Sequence, residues 1–356
     1  MEPSKKNLTG LSLPELETFA LSIGEKKFRG RQLFSWIYEK KASGFAQMSN
    51  LAKPLRDKLD AIAKVGLVQL AEEQGSVQDD AIKFLFQLSD GVLIESVLIT
   101  ESKRGTCCLS TQAGCALKCA FCATGTLGFT RHLSAGEIVD QVLVVARASK
   151  KDITNIVLMG MGEPMLNYDA VIKACQLLND ANGLAIAARH IVISTVGIVP
   201  AIYRYADDGH PYRLAISLHS ALDEKRSRLV PIGRTYPLPE LMQAVRHYAQ
   251  QARQHPTIEY VLLAGVNDGE EDAIALLNLL KGLPCKVNLI PYNAAISRFS
   301  APTVERVDQF ARWLLPLRAP VSVRWSKGAD IQAACGQLLA NGKTKRSIQA
   351  DLSVCV

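Results

Sequence analysis

Three cysteines stand close together in the segment GCALKCAFCATG at the spacing C-x3-C-x2-C: Cys115, Cys119 and Cys122. A structural zinc site uses four protein ligands, and no fourth Cys or His follows closely, since His132 comes ten residues later, beyond a glycine-containing turn. A catalytic zinc could use three ligands, but three thiolates on one short loop are unusual for it. Three thiolates also leave one iron of a 4Fe–4S cube free to bind the amino and carboxylate groups of S-adenosylmethionine (SAM). An electron passed through such a cluster splits the sulfonium bond and gives a 5′-deoxyadenosyl radical.

The elements that must position this loop alternate between short strands and helices from about residue 104. The apolar runs predict strands at Thr106–Ser110, Asn155–Met159, His190–Ser194, Tyr212–Leu218, Ile258–Leu263, Val287–Pro291 and Val321–Trp325. Helical patterns between them include Ser134–Ala148, Tyr168–Leu178, Leu238–Gln254 and Glu270–Leu280. This alternation indicates a parallel β/α barrel or a doubly wound sheet.

Polar and glycine residues stand where four of the predicted strands end. Ligand sites of β/α barrels collect at the C-terminal ends of the strands, so these residues and the cysteine loop are expected to face one rim. Glu163 can accept a hydrogen bond from the SAM ammonium group, and the hydroxyl, imidazole and amide groups can bind its ribose and carboxylate. The side chains that can do so are those of Glu163, Ser194, Ser217, His219 and Asn293.

The first part of the chain has a different pattern. Residues 1–70 are predicted to be helical, with Ser12 as an N-cap. The segment 28–41 has apolar residues at helical spacing that we expect in the core: Phe28, Leu33, Trp36 and Ile37. Two apolar runs joined by Ser-Asp-Gly then predict a β-hairpin, Ile82–Leu88 and Val92–Ile99.

Composition limits the classes of protein that fit. The 356 residues are 48% apolar and 21% charged, which excludes a disordered or fibrous chain. The apolar runs are too short to span a bilayer, and the first ten residues lack the apolar region of a signal peptide, so we expect a cytoplasmic protein. The net charge of +7 lies entirely in residues 1–50 and 318–356. Basic ends are either solvated tails or contacts to a polyanion such as RNA.

Several segments together resemble the radical SAM superfamily and, within it, the adenine methyltransferases of 23S rRNA. The similarity extends from about residue 25 to 340. The segments that carry it are CLSTQAGCALKCAFCATGTLGFTRHLSAGEIVDQV (108–142), VLMGMGEPMLN (157–167), ISTVGIVP (193–200), ISLHS (216–220), PYN (291–293) and DIQAACGQL (330–338).

The resemblance implies an α/β fold, namely a partial, open parallel β/α barrel with a small N-terminal helical domain and a hairpin. The implied domains are a helical RNA-contacting domain (1–80), a connecting hairpin (81–103), the radical SAM core (104–340) and a basic tail (341–356). It also implies a monomer that contains a 4Fe–4S cluster, binds SAM and receives electrons from a donor such as flavodoxin or ferredoxin.

Roles for individual residues follow from the same resemblance. Cys115, Cys119 and Cys122 would ligate the cluster. The residues that would contact SAM, here called the rim residues, are Gly162, Glu163, Ser194, Ser217, Leu218, His219 and Asn293. Family members methylate the cysteine that matches Cys335 with one SAM and use a second SAM to make a methylene radical that adds to adenine. The cysteine that matches Cys108 then releases the product through a transient disulfide, and Glu95 matches the proposed proton acceptor. A thiolate is needed because carbon 2 of adenine is electron-poor and does not attack the SAM methyl group itself.

The family substrates are adenine 2503 of 23S rRNA and adenine 37 of some tRNAs, both of which are loop nucleotides accessible to an enzyme that extracts a base. Two alternatives stay open: methylation at carbon 8 of the same rRNA adenine, which gives antibiotic resistance, and a non-catalytic RNA-binding protein with a structural metal. Cys107 and Cys355 have no assigned role, and Cys175 and Cys285 are expected in the core.

Overall fold

The N-terminal region is mainly helical. The computed structural model describes residues 5–252 and 254–338, so the tail expected at 341–356, with Cys355, lies outside the described residues. Ser12 precedes the first helix, as predicted, and its backbone N–H donates to Glu15 Oε2 at 2.7 Å. The elements are β1 (Lys6–Asn7), α1 (Leu13–Ser22), α2 (Phe28–Phe34), a π-helical turn (Ser35–Glu39), a 3-10 turn (Phe45–Gln47), α3 (Lys53–Ile62) and β2 (Ala63–Lys64), which pairs in parallel with β1.

The helical stripe of residues 28–41 differs from the prediction at two positions, because Trp36 is only partly buried against the core and Phe28 is exposed. Leu33 and Ile37 are buried as expected, but Phe28 is 46% exposed, with the Arg29 guanidinium 4.8 Å from its ring centroid. The face that packs on α1 passes through Gly30, where a Cβ atom would lie 2.5 Å from backbone atoms of Glu17. Phe28 comes two residues before Gly30, about 200° around a helix, and therefore points away from this contact.

An antiparallel region follows and includes the predicted hairpin. Its strands are β3 (Val68–Gly75), β4 (Ala81–Leu88), β5 (Leu93–Glu101) and β6 (Arg104–Cys108), each antiparallel to the next. The prediction of helix as far as residue 70 was wrong at its end, because β2 and β3 occupy Ala63–Lys64 and Val68–Gly75. Strand β3 pairs with β4, but Val68 is its one buried residue, so its sequence, VQLAEEQG, has too few apolar residues to indicate a strand by itself.

A parallel region continues the same sheet from β6. A small antiparallel pair, β7 (Gln112–Gly114) and β8 (Phe129–His132), flanks the cysteine loop. The parallel strands are then β9 (Asn155–Leu158), β10 (Ile191–Thr195), β11 (Arg213–Ser217), β12 (Thr257–Leu262), β13 (Lys286–Pro291) and β14 (Val321–Val323). Every predicted strand lies within two residues of an observed one. Strands β3 and β14 are the two edges of the ten-stranded sheet, which confirms the open form of the barrel.

Helices connect the parallel strands and cover the sheet. They are α4 (Ala135–Ser149), α5 (Tyr168–Asn179), α6 (Val199–Asp207), α7 (Asp223–Leu229), α8 (Leu238–Gln251), α9 (Glu270–Leu280) and α10 (Val304–Trp313). Capping by Ser134 begins α4, since its hydroxyl accepts from the Glu137 backbone N–H at 3.2 Å. Across residues 5–252 and 254–338, none of the helices has the length and apolar character needed to cross a membrane.

The segment after β14 joins the two sides of the open sheet. The Lys327 ammonium lies 3.1 Å from the Glu101 carboxylate on β5. The backbone N–H of Gly328 donates to the Asp79 carboxylate at 2.9 Å, just before β4. The segment then returns to the rim, where it carries Cys335. Residues 324–338, the bridging segment, therefore place a cysteine far along the chain beside the cysteine loop.

Candidate active site

The cysteine loop is held from several sides. The backbone N–H of Cys115 donates to Gly128 O at 2.8 Å, and that of Ala120 donates to Leu229 O at 2.8 Å. Gly114 has φ +74°, and a Cβ atom there would lie 1.9 Å from Gly128 O, so this turn requires glycine. Side chains of all three cysteines line one cavity of about 980 Å³, including its open mouth. We call it the rim cavity.

The donor set fits an iron–sulfur cluster. Burial raises the pKa of Cys115 to about 11, and burial also raises the pKa values of Cys119 and Cys122. Three thiolates in this apolar cavity therefore need a cation, which displaces their protons on binding. In the described part of the chain, no three Cys, His, Asp or Glu residues form a group that could hold a single metal ion. A cube needs a different arrangement, because each thiolate binds a separate corner.

Glu163 is the principal polar group of the rim cavity. It is only 2% exposed, and burial raises its pKa to about 7, against the effect of the backbone N–H groups of Val196 and Met165, which donate at 3.0 Å. Gly162, with φ +101°, permits the close approach that places it there, because a Cβ atom would lie 2.5 Å from Gln112. A carboxylate here would accept a hydrogen bond from the ammonium group of SAM.

The pKa of Glu163 predicts how SAM binding depends on pH. The carboxyl is ionised above about pH 7 and protonated below it, so the affinity for SAM should fall up to tenfold for each pH unit below 7. Equilibrium dialysis of the reconstituted protein with labelled SAM measures this. Glu163→Gln should bind weakly with no inflection near pH 7; an inflection retained in that variant would contradict the assignment.

Three further rim residues face the same cavity. Ser194 Oγ and Ser217 Oγ lie 3.3 Å apart at the ends of β10 and β11. His219 is buried with φ +59°, and its Nδ1 accepts from the Val261 backbone N–H at 3.1 Å, so Nε2 carries the proton. Burial lowers the pKa of His219 to about 3, with a smaller contribution from the charge of Arg226. The neutral ring is therefore a fixed hydrogen-bond donor.

The last two predicted SAM contacts differ in position. Asn293 lines the rim cavity, and its Nδ2 donates to Ser326 Oγ at 2.8 Å and to Cys335 O at 3.4 Å. Leu218 has a side chain that is completely buried in the main hydrophobic core. A contact from Leu218 to a ligand would therefore need its backbone.

Cys335 lies on the wall between two cavities. It lines both the rim cavity and a second cavity of about 1730 Å³, including its mouth, which also contains Cys108. We call the second one the inner cavity. Burial raises the pKa of Cys108 to about 12, with a further increase from the charge of Cys335, whereas Arg324 acts in the opposite direction. The two cysteines are therefore close enough for the charge of Cys335 to act on Cys108.

Backbone contacts fix this position of Cys335. The N–H of Ala123 in the cysteine loop donates to Gly336 O at 2.7 Å, and Thr124 Oγ1 donates to Leu338 O at 3.3 Å. The cysteine loop and the end of the bridging segment therefore hold each other in place.

The neighbouring thiols Cys107 and Cys108 face opposite sides of β6. Cys107 is fully buried in the core, and Cys108 lines the inner cavity. Cys108 pairs with Val97 on β5, so Glu95, two residues before Val97, projects from the same face of the sheet. Glu95 is 4% exposed, and its Oε1 lies 3.6 Å from Lys83 Nζ. Within the described residues it is not part of either cavity wall.

Three charged residues of the site were not identified from the sequence. Arg324 borders both Cys108 and Cys335, and its pKa is raised chiefly by the charge of Cys335. Glu259 lines both cavities; Asn288 donates to its Oε1 at 3.1 Å, and its Oε2 has no hydrogen-bond partner among the described residues. Arg226 is completely buried near Cys119. A carboxylate in the apolar strand TIEYVL was a usable signal for Glu259, whereas DEKRSR around Arg226 is typical of a solvent-exposed helix.

An open β/α barrel with three cysteines on the loop after its first parallel strand defines a radical SAM protein. The Radical SAM superfamily model matches residues 109–277, and the model of the ribosomal RNA large subunit methyltransferase N-terminal domain matches residues 6–65. The chain belongs to the RlmN family of radical SAM methyltransferases. Enzymes of this superfamily use a 4Fe–4S cluster and SAM, which confirms both predicted cofactors.

Individual relatives support the family assignment over most of the chain. The probable dual-specificity RNA methyltransferase RlmN of Thermoanaerobacter sp. (strain X514) is 46% identical, with 93% of this chain and 97% of that protein covered. The dual-specificity RNA methyltransferase RlmN of Geobacter sulfurreducens is 45% identical, with 93% and 91% covered. A radical SAM methyltransferase from Sphaerobacter thermophilus superimposes with a TM-score of 0.91 at 43% identity, covering 94% of this chain and all of that one.

Proposed function

We propose that this enzyme methylates carbon 2 of an unpaired adenine in 23S rRNA, at the position known as adenine 2503, and of adenine 37 in some tRNAs. The observation that carries the proposal is the position of Cys335 on the wall between the two cavities. A methyl group on its sulfur could be received from the rim cavity and presented in the inner cavity. The names of the relatives, RNA methyltransferases of dual specificity, support action on two kinds of RNA, and the matching N-terminal family model is named for large-subunit ribosomal RNA.

Cys335 would act as the methyl carrier. Bound together, the cluster and SAM supply a methyl donor and, with an added electron, a radical that can remove hydrogen from an S-methyl group. The thiolate is the form of cysteine that attacks a methyl donor, and Arg324 lies beside Cys335 on the wall of the inner cavity. Two SAM molecules would be used for each methyl group transferred.

Release of the product would involve the inner cavity. The methylene radical on Cys335 bonds to carbon 2, and the resulting adduct is itself a radical, which would give up one electron to the cluster when that is bound. The adenine then loses the proton from carbon 2 to a base, for which we propose Glu95. The Cys108 sulfur then attacks the Cys335 sulfur, the sulfur–carbon bond breaks, and the released carbon takes up a proton to become a methyl group. A Cys108–Cys335 disulfide remains, and a reductant must reduce it before the next cycle. A flavodoxin or ferredoxin would supply electrons.

The role of Glu95 predicts a specific defect. Glu95→Gln keeps the size of the side chain but removes the base, so RNA methylation should fall about 100-fold or more, and the Cys335–RNA adduct should accumulate. Transfer of labelled methyl groups from SAM to a 23S rRNA fragment and gel analysis of the protein measure both. The matched control, Glu72→Gln, changes an exposed carboxylate on β3. Normal turnover by Glu95→Gln would exclude it as the proton acceptor.

The remaining proposals assign a role to each segment of the chain. We propose that the N-terminal region, residues 1–80, and the basic C-terminal tail, residues 341–356, contact RNA phosphates. Residues 81–103 would form a connecting hairpin, residues 104–340 the catalytic core, and the protein would act as a cytoplasmic monomer. Phosphate contacts release counterions, so RNA binding should weaken as the salt concentration rises.

Mass mapping of the methylated base tests the proposed function. The enzyme, reconstituted anaerobically, is incubated with SAM, a reductant and either a 23S rRNA fragment or tRNA, and the nucleosides are compared with 2-methyladenosine and 8-methyladenosine. We expect the carbon-2 product from both RNAs. The carbon-8 product would overturn the choice of carbon, and product from rRNA alone would remove tRNA from the substrates.

A further inference from the structure

The inner cavity extends away from the SAM site. Its wall contains residues at or near the first positions of the parallel strands, such as Val192, Arg213 and Thr257, and it reaches Cys108 and Cys335 at the other end. It therefore runs through the interior of the open barrel, beneath the rim that the rim cavity occupies. A group that enters by this route meets both reactive sulfurs from the side opposite SAM.

The wall of the inner cavity is positively charged. It contains four cations, Arg104, Arg213, Arg324 and Lys327, and two carboxylates, Glu101 and Glu259. One carboxylate is already paired, since Glu101 and Lys327 lie 3.1 Å apart. Arg104 is exposed and forms no ion pair with the described residues. A surplus of positive charge along this path favours a polyanion.

One aromatic residue on this wall is exposed. Trp325 has 53% of its surface accessible, although it belongs to the bridging segment that closes the open side of the barrel. The other two tryptophans contact side chains of the protein itself. The Lys40 ammonium lies 4.2 Å from the Trp36 ring centroid, and the Phe310 and Trp313 ring centroids lie 6.3 Å apart. Across residues 5–252 and 254–338, Trp325 has no comparable ring or cation contact.

We propose that the inner cavity admits the target nucleotide and that Trp325 stacks on the base of an unpaired nucleotide next to it. This inference rests on the proposed function and adds a recognition element to it. Exposed aromatic rings next to cations are the usual means by which proteins bind single-stranded nucleic acids, because every base has a face that can stack. Arg104 lies on the same wall and would contact a backbone phosphate.

The test compares two RNAs and two substitutions at position 325. The RNAs are a stem–loop with an unpaired adenine in its loop and a fully paired duplex of the same stem sequence. Trp325→Phe keeps a stacking ring without the indole fluorescence, and Trp325→Ala removes the ring. Leu315→Ala is the matched control, because Leu315 is an apolar residue, 78% exposed, that does not line the inner cavity. Iron and sulfide content and circular dichroism verify that each variant is folded.

Stacking predicts a distinct pattern. The stem–loop, but not the duplex, should quench the tryptophan fluorescence of the wild-type enzyme, and Trp325→Phe should lose this quenching while it keeps the Kd within about twofold. Trp325→Ala should raise the Kd for the stem–loop about tenfold, and Leu315→Ala should match the wild type. An unchanged Kd in Trp325→Ala, or quenching that persists in Trp325→Phe, overturns the inference.

Failure of the inference and failure of the proposed function give different results. Methylation of Cys335 by SAM alone, measured as the mass gain of one methyl group in the wild-type enzyme, requires no RNA and tests the proposed function. A wild-type enzyme that methylates Cys335 and RNA, together with a Trp325→Ala variant of unchanged Kd, overturns only the inference. A wild-type enzyme that binds the stem–loop with quenching but transfers no methyl group overturns only the proposed function.

Discussion

Replacement of Cys108 by alanine is expected to leave RNA covalently attached to Cys335. Without the second sulfur, the bond between the Cys335 sulfur and the methylene carbon has no nucleophile to break it, so the adduct persists and turnover falls below detection. The structure favours Cys108 for this step because it lines the inner cavity with Cys335. Nuclease digestion of the purified variant, followed by peptide mass spectrometry, should find an adenine nucleotide on the peptide that contains Cys335.

Controls for this experiment lie next to the substituted residue. Cys107→Ala removes a thiol one position away on the opposite face of β6, in the core, and should yield free, methylated RNA. The double variant Cys108→Ala/Cys335→Ala should carry no RNA, because the carrier is missing. An adduct on any other cysteine, or free product from Cys108→Ala, would contradict the assignment of the two sulfurs.

Loss of one ligand of the cysteine loop should have an equally large effect. Cys115→Ala leaves two of the three thiolates in the rim cavity, too few to hold a cube with only one free iron. Anaerobically reconstituted Cys115→Ala should lack the brown absorbance of the cluster and should release no 5′-deoxyadenosine when it is reduced in the presence of SAM. Iron and sulfide analysis and chromatography of the nucleoside products measure the two effects.

Cys285→Ala is the matched control for the cysteine loop. Cys285 is a buried thiol just before β13 and lies in the main hydrophobic core. That variant should keep its full iron content and its nucleoside release. Zinc in place of iron in the wild-type protein, with no cleavage of SAM under reductant, would contradict the cluster assignment and favour a non-catalytic RNA-binding protein.

The parallel strands and the cysteine loop could be predicted because each is encoded by a short run of neighbouring residues in the sequence. Each strand is a short apolar run bounded by polar or glycine residues, and each rim residue lies at the end of a strand or within five residues after it. Ser194 and Ser217, for example, are 23 residues apart in the chain, yet their hydroxyls lie 3.3 Å apart, as expected for the ends of adjacent parallel strands. The general rule for ligand sites in β/α barrels was therefore sufficient to predict that these residues lie together, and their contact with SAM stays a prediction.

Other parts of the site depend on contacts that no local pattern contains. Arg324 borders Cys108 only because the chain after β14 crosses the open side of the barrel, and this path depends on ion pairs and hydrogen bonds to β4 and β5. Phe28 was assigned to the core by approximate spacing, but a rotation of 200° from Gly30 places it on the surface. Strand β3 was not predicted, because its own residues are mostly polar. It is a strand because it pairs with β4.

The mutual support of the cysteine loop and the bridging segment has a consequence for how the enzyme folds. Ala123 and Thr124 follow the last loop cysteine directly, and their hydrogen bonds to Gly336 and Leu338 determine where Cys335 lies. Because Thr124 and Leu338 are 214 residues apart in the chain, Cys335 reaches its position only when the cysteine loop and the bridging segment have both folded, and disorder of the loop should displace Cys335 as well.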